Sequence, residues 1–273
     1  METPAFEDLL FEVRGAVACI TINRPGKLNT LRMTLTDREL ITALAFAEGK
    51  RDIKVVVITG AGSKAFCAGW DMEGIAEASI TELEALVRSN LDLFFKIWHL
   101  RMPVVAAING YALGAGSAIA LACDLALAAD NAKLGEPEVR HGALSPFFVL
   151  PFMTHSRVVH EMSYFGDMLD AQELLRVGLV NRVVPAADFE AEVWRYAQRL
   201  ANVPAFSLEM TKRSLRAAFD TMGLGAVVRQ HGLADTLVIG ANFPEQKQLQ
   251  EILVQQGMRA FLEARDGPFR PTR

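Results

Sequence analysis

Residues 110–124, GYALGAGSAIALACD, set a glycine-rich turn between two apolar runs, PVVAAIN before it and DLALAAD overlapping its end. Short apolar runs separated by loops and a helical stretch give the rhythm of an α/β protein, whose strand ends line up along one sheet edge and bind ligands there. The turn is not a phosphate loop. A GxGxxG pattern needs glycine at 119, where Ile119 stands, and no Gly-Lys-Ser/Thr follows. What Gly110, Gly114 and Gly116 permit is positive φ and close backbone approach, and SAIALA behind them opens a helix with free N–H groups and a positive dipole end. That geometry suits a developing oxyanion. The loop SKAFCAGWD at 63–71 also follows a buried run, KVVVITG, and also carries a small-small-Gly core, so a second backbone N–H is expected to face the first. Donors preorganised for charge that appears only in the transition state contribute ~3–4 kcal/mol each.

Working outward, LLFEVRG and AVACITINR predict a strand pair turning at Gly15, and TDRELITALAFAEG predicts a helix with Thr36 or Asp37 as N-cap and Gly49 at its C-terminus. A long amphipathic helix is expected over roughly 80–100. From about residue 186 helical periodicity runs through ADFEAEVWRYAQRLA, PAFSLEMTKRSLRAAF, the segment near 221–240 and PEQKQLQEILVQQGMRAFLEAR, with no strand signal between them. The expected organisation is a core over 1–195 and a helical region over 196–273.

With 28 basic and 32 acidic side chains, the net charge of -4 removes the electrostatic footprint of a nucleic-acid binder. Cys19, Cys67 and Cys123 form no CxxC pair, and the histidines at 141, 155 and 160 have no metal-site spacing; neither a disulfide framework nor a bound metal is expected, and the setting is read as cytoplasmic. METPAFEDLL lacks the basic start and apolar core of a signal peptide, and no charge-free run of about 18 apolar residues offers a membrane span.

Five blocks, NRPGKLNTL at 23–31, SKAFCAGWD at 63–71, PVVAAINGYALGAGSAIALACDLALAAD at 103–130, KLGEPEVRHG at 133–142 and GLVNRVVP at 178–185, together resemble the enoyl-CoA hydratase/isomerase (crotonase) superfamily. The resemblance implies an α/β fold, a crotonase-like spiral of β-β-α units with a C-terminal helical trimerisation region, assembled as a homotrimer or a dimer of trimers. It implies an acyl-CoA thioester as substrate, with coenzyme A part of that substrate and no separate cofactor. The backbone N–H groups of Trp70 and Ala115 match the family's oxyanion hole. Arg24, Lys27, Leu28, Ala68 and Asp71 fall in blocks that line or order the CoA path, with a capping role the alternative for Asp71, and Phe147 and Phe148 replace small residues where they reshape the acyl pocket or fill core space beside it.

Hydratases of this superfamily commonly carry two glutamates, and this chain has Ala118 at the first position and Glu138 at the second. A single carboxylate suits a proton shuttle between C2 and C4 of a 3-enoyl thioester, so an isomerase is the preferred expectation. A 2-enoyl-CoA hydratase adding water syn, another lyase of the family, and a non-catalytic acyl-CoA-binding protein are the alternatives. Taken from its turn alone, Glu138 reads as solvated, and it is the resemblance that makes it the acid/base. Glu136 is expected at the surface or in a supporting role, His141 near Glu138 as a neighbour, and Asp124 as structural.

Overall fold

The computed structural model describes residues 4–33, 35–71 and 80–270; residues 1–3, where the segment read for a signal sequence begins, lie outside them. β1 (Leu9–Arg14) and β2 (Val17–Ile22) form the expected antiparallel pair, followed by α1 (Thr36–Gly49) and β3 (Val55–Gly60). The chain then leaves the first sheet for a short strand in a second one, β4 (Ala65–Cys67), and enters α2 (Ile80–His99). That move repeats. β5 (Val104–Ile108) lies in the first sheet, β6 (Tyr111–Leu113) in the second, and α3 (Ala115–Ala122) follows; β7 (Leu125–Ala129) and β8 (Lys133–Gly135) make the same step again. After a 3-10 turn over Pro137–His141 come α4 (Leu150–Met153), α5 (Ser156–Phe165), β9 (Met168–Asp170), α6 (Ala171–Arg176) and β10 (Arg182–Val184). The helices α7 (Phe189–Ala201), α8 (Ala205–Thr221), α9 (Leu224–Gly240), α10 (Pro244–Gln256) and α11 (Met258–Asp266) complete the chain.

The first sheet has the order β1-β2-β3-β5-β7-β10, parallel except at β1-β2; the second is β4-β6-β8-β9, parallel except at β8-β9. Both faces of the first sheet are covered, which is why its central strands read as continuous apolar runs. One face sends Ile20, Ile22, Val56, Ile58, Val104 and Ala106 into the main core, and the other sends Val17, Val55, Val57 and Val105 against Phe189, Val193 and Ala197 of α7. Burying side chains of the size of Val193 and Phe189 contributes about 1.5–3 kcal/mol each, so α7 is part of the sheet's closure. The division expected at 195/196 therefore falls inside a helix.

Two expectations about helix ends change. The N-cap of α1 is Leu35, without a side-chain cap bond, because the Thr36 hydroxyl instead accepts from the Arg32 amide and donates to Asp8, while Asp37 is buried beneath Trp70. Gly49 is the last residue of α1, as expected, with Lys50 as the C-cap. The final helical run breaks at Gly257, whose φ of 82° ends α10 and starts α11. Asp124 anchors α8 to the sheets: it bonds Lys212 at 2.8 Å, Arg216 at 2.5 Å and the Val104 amide at 2.8 Å. Among the described residues no helix is long and apolar enough to cross a membrane.

Candidate active site

Because β4 and β6 are neighbours in the second sheet, the loops that follow them meet backbone to backbone. Gly116, in the first turn of α3, has no room for a side chain: a Cβ there would stand 2.0 Å from the Cys67 carbonyl oxygen. On the opposite loop, a Cβ at Gly69 would lie 3.1 Å from the Leu113 oxygen and 3.8 Å from the Ala115 nitrogen. The Ala115 amide thus stands beside the peptide that leads into Trp70. Neither the Trp70 nor the Ala115 amide donates to an acceptor among the described residues, and Ala115 is the first residue of α3, at the positive end of the helix.

A third segment fixes the Trp70 loop. Leu31 donates to the Gly69 carbonyl at 2.9 Å and accepts from the Asp71 amide at 2.8 Å, while the Ala68 amide donates to Leu28 at 3.1 Å. Asn29, buried and at φ 56°, accepts from the Arg24 amide at 3.0 Å and donates to the carbonyls of Ala61 at 3.0 Å and Ala65 at 2.7 Å. The Arg24 guanidinium bonds the Thr30 carbonyl at 2.6 Å and Asp71 at 3.1 Å. Arg24 and Asp71 therefore brace the two loops against each other, with Lys27 and Leu28 exposed on the adjoining rim and Ala68 half-buried behind them. The Trp70 ring packs near Phe94 and donates from Nε1 to Asp37 at 3.3 Å; burial pushes the Asp37 carboxyl up to about 6, opposed by that bond.

Glu138 lies on the 3-10 turn that follows β8. Its Oε1 sits directly over Gly114, which has φ 55° and ψ -119°, a conformation that favours glycine. Part of the residue reaches the surface, but Oε2 is sealed from solvent and has no partner. The solvated turn suggested by the isolated sequence is thus not what forms. Burial, and secondarily the charge of Glu136, push the Glu138 carboxyl up to about 8. A carboxyl of this kind over a pair of unused amides can exchange a proton near neutrality beside an oxygen that is gaining charge.

Glu136 is the main departure from expectation. It is 3 % exposed, not a surface residue; its Oε1 accepts from the Ser145 hydroxyl at 2.8 Å, and its Oε2 has no partner. Burial raises its carboxyl to about 7, and the nearby Ser145 and Ser117 hydroxyls hold it down. β8 offers no alternation that would place Glu136, since Leu134 and Gly135 are both buried and the strand ends before it. Ser117, fully buried on α3 and facing Glu136, carries no signal in the sequence.

Phe147 is fully buried in an aromatic cluster with Phe94, Phe95 and Trp98, so it reaches Trp70 only through Phe94. Phe148 stacks on His231 at 4.2 Å. His141 packs on Phe261, and burial, with the Arg265 charge, brings its imidazole down to about 4, which keeps it neutral beside Glu138. Burial pushes the Cys67 thiol up to about 12, away from nucleophile chemistry. Among the described residues no group of three or more His, Cys, Asp or Glu side chains is placed to hold a metal.

Comparison with known proteins adds to this geometry. A family model described as enoyl-CoA hydratase/isomerase matches residues 12–272. The chain is 30% identical over 269 residues to the crotonyl-CoA hydratase of Syntrophomonas wolfei, covering 97% of this chain and 98% of that protein. It is 36% identical over 208 residues to the (E)-benzylidenesuccinyl-CoA hydratase of Thauera aromatica, covering 74% and 80% respectively. Among solved structures, an enoyl-CoA hydratase/isomerase from Xanthobacter autotrophicus Py2 superposes with a TM-score of 0.93 at 30% identity, covering 98% of this chain and all of that one.

Proposed function

The chain belongs to the enoyl-CoA hydratase/isomerase family, it is an enzyme of that family acting on an acyl-CoA thioester, and we propose that its reaction is the addition of water across the 2,3 double bond of a 2-enoyl-CoA. One observation carries the reading: a carboxyl raised toward neutrality, Glu138, stands over Gly114 beside the Ala115 amide at the open end of α3. The Trp70 and Ala115 amides hold the thioester oxygen as it gains charge. Glu138 takes a proton from water as the water oxygen bonds to C3, and returns a proton to C2 on the same face. Water is consumed, no other group is altered, and the glutamate ends as it began.

The expectation of an isomerase rested on Glu138 being a lone carboxylate. Glu136, buried next to Ser117 and Ser145, is a second carboxyl on the same turn, and the Syntrophomonas wolfei and Thauera aromatica relatives are named as hydratases. Lys27, Leu28 and Ala68 line the approach of coenzyme A, with Arg24 and Asp71 keeping its loop in shape; Phe147 and Phe148 act on the acyl end through the walls they support. The same reading includes a homotrimer or a dimer of trimers. Exposed apolar side chains on the C-terminal helices, Phe206, Leu215, Leu233, Leu237 and Val254, offer surface of the kind that a subunit interface covers. It also includes a cytoplasmic setting, in line with three cysteines that are free and buried.

The test is a panel of 2-enoyl, 3-enoyl and aromatic CoA esters read by product mass. Hydration adds one water and isomerisation adds nothing. Gain of water from 2-enoyl esters is expected; isomerisation of 3-enoyl esters running much faster than hydration would overturn the reading in favour of the isomerase.

A further inference from the structure

The reaction written above employs one carboxylate, yet the turn that carries it buries two. Glu136 and Glu138 flank Pro137 on one short turn, where the Glu136 charge acts on Glu138, and the Ala143 amide closes the turn onto the Glu138 carbonyl at 3.1 Å. Each carboxyl has one buried oxygen without a partner, Oε2 in both residues. The Ser117 hydroxyl faces Glu136 from α3 and, with Ser145, favours its charged form. An ionised carboxylate with an unsatisfied buried oxygen costs several kcal/mol, and two such charges side by side cost more.

No cation resolves this. Among the described charged groups that act on Glu138, Asp235 of α9 adds negative charge and Arg265 of α11 offsets it only in part, being bonded to Asp266 at 2.9 Å. Arg140, on the same turn, is held by Asp167 at 2.5 Å and Asp266 at 3.2 Å, and His141 is kept neutral. Asp235 itself accepts from the Leu144 amide at 2.7 Å. A proton on one carboxyl removes one of the two buried charges, makes that carboxyl a donor and leaves the other an acceptor.

We propose that Glu136 and Glu138 work as one carboxyl pair that holds a single proton between them, so that Glu136 is a positioning residue which sets the protonation state in which Glu138 meets the thioester. The inference rests on the reading that Glu138 carries the reaction. During hydration the proton taken from water enters the pair as the C2 proton leaves it, so the pair's proton count is unchanged. Like-charge groups that interact strongly titrate in two steps belonging to the pair. Below the first step no base is available; above the second no acid is.

The test is the pH profile of kcat/KM for 2-enoyl-CoA hydration by the wild type, E136Q, E136D and E138Q. The wild type is expected to give a bell centred near neutrality. E136Q keeps the shape of the side chain and its contact with Ser145; it is expected to lose one limb, to move the other to lower pH by about one unit as a neighbouring charge disappears, and to lower kcat on the order of 10- to 100-fold with KM little changed. E136D, which restores a carboxyl, is expected to restore both limbs. An E136Q profile identical to the wild type, with E138Q inactive, overturns the pair and leaves the Glu138 reading standing; an active E138Q overturns that reading. If E136Q does not fold, the infrared carboxyl band of wild type minus E138Q decides: loss in two steps is expected, and loss in one step overturns the pair.

Discussion

Gly114→Ala separates the chemistry of the site from its folding. A Cβ at 114 would stand 2.1 Å from Glu138 Oε1, where ordinary contact begins at 3.4 Å. The obstructing atom is the end of a flexible side chain, so the strain is relieved by retreat of the carboxylate through roughly 1 Å, and a misplacement of that size lowers kcat on the order of 100-fold. The backbone contribution is separate: a non-glycine residue at φ 55° and ψ -119° costs about 1–3 kcal/mol. For a chain of this length that lowers Tm by about 2–12 °C, leaving a folded protein. The assay is loss of enoyl absorbance under saturating 2-enoyl-CoA, alongside Tm by circular dichroism and affinity for a saturated CoA ester. Gly116→Ala is the contrast, because its Cβ would meet the Cys67 carbonyl, which is backbone and has no such freedom; insoluble or unfolded protein is expected. A folded G114A enzyme retaining more than half the wild-type kcat would refute the placement of Glu138 over Gly114.

Other consequences follow from the buried charges. The Glu138 carboxyl rises from 4.5 to about 8 on folding, so native stability is fully present below pH 4.5 and is lost progressively as pH rises through 8. E138Q does not titrate; since the residue is partly exposed, its gain over the wild type is set at about 2 kcal/mol at pH 8 and near zero at pH 4.5, and equal Tm differences at the two pH values would contradict this. Asp124→Asn leaves Lys212 and Arg216 buried without their countercharge, which costs about 3–5 kcal/mol; a urea midpoint implying under 1 kcal/mol would show that the cluster does not anchor α8.

The parts of this fold that are legible in the sequence are those with enough residues to show a period. KVVVITG, PVVAAIN and DLALAAD correspond to β3, β5 and β7, and the amphipathic run near 80–100 is α2. The second sheet was invisible because its strands, AFC, YAL, KLG and MLD, are three residues each, too short for alternation to register. Its consequence was legible all the same: the small-small-Gly patterns at 67–69 and 114–116 predicted loops that approach closely, and the ends of β4 and β6 bring them together. Glu136 was misread because a polar residue beside Pro137 resembles an exposed turn. Its burial is imposed by tertiary contacts, with Ser145 and the α3 residue Ser117, that no local pattern encodes.

The central claim, that Glu138 moves the proton, is tested most directly by hydration of crotonyl-CoA by E138Q measured beside affinity for the same ester. The amide replaces the carboxyl without changing its size, so the oxyanion amides and the CoA path are left in place. Turnover reduced at least 1,000-fold with affinity within a few fold of the wild type is the predicted result; turnover near the wild-type rate would contradict it.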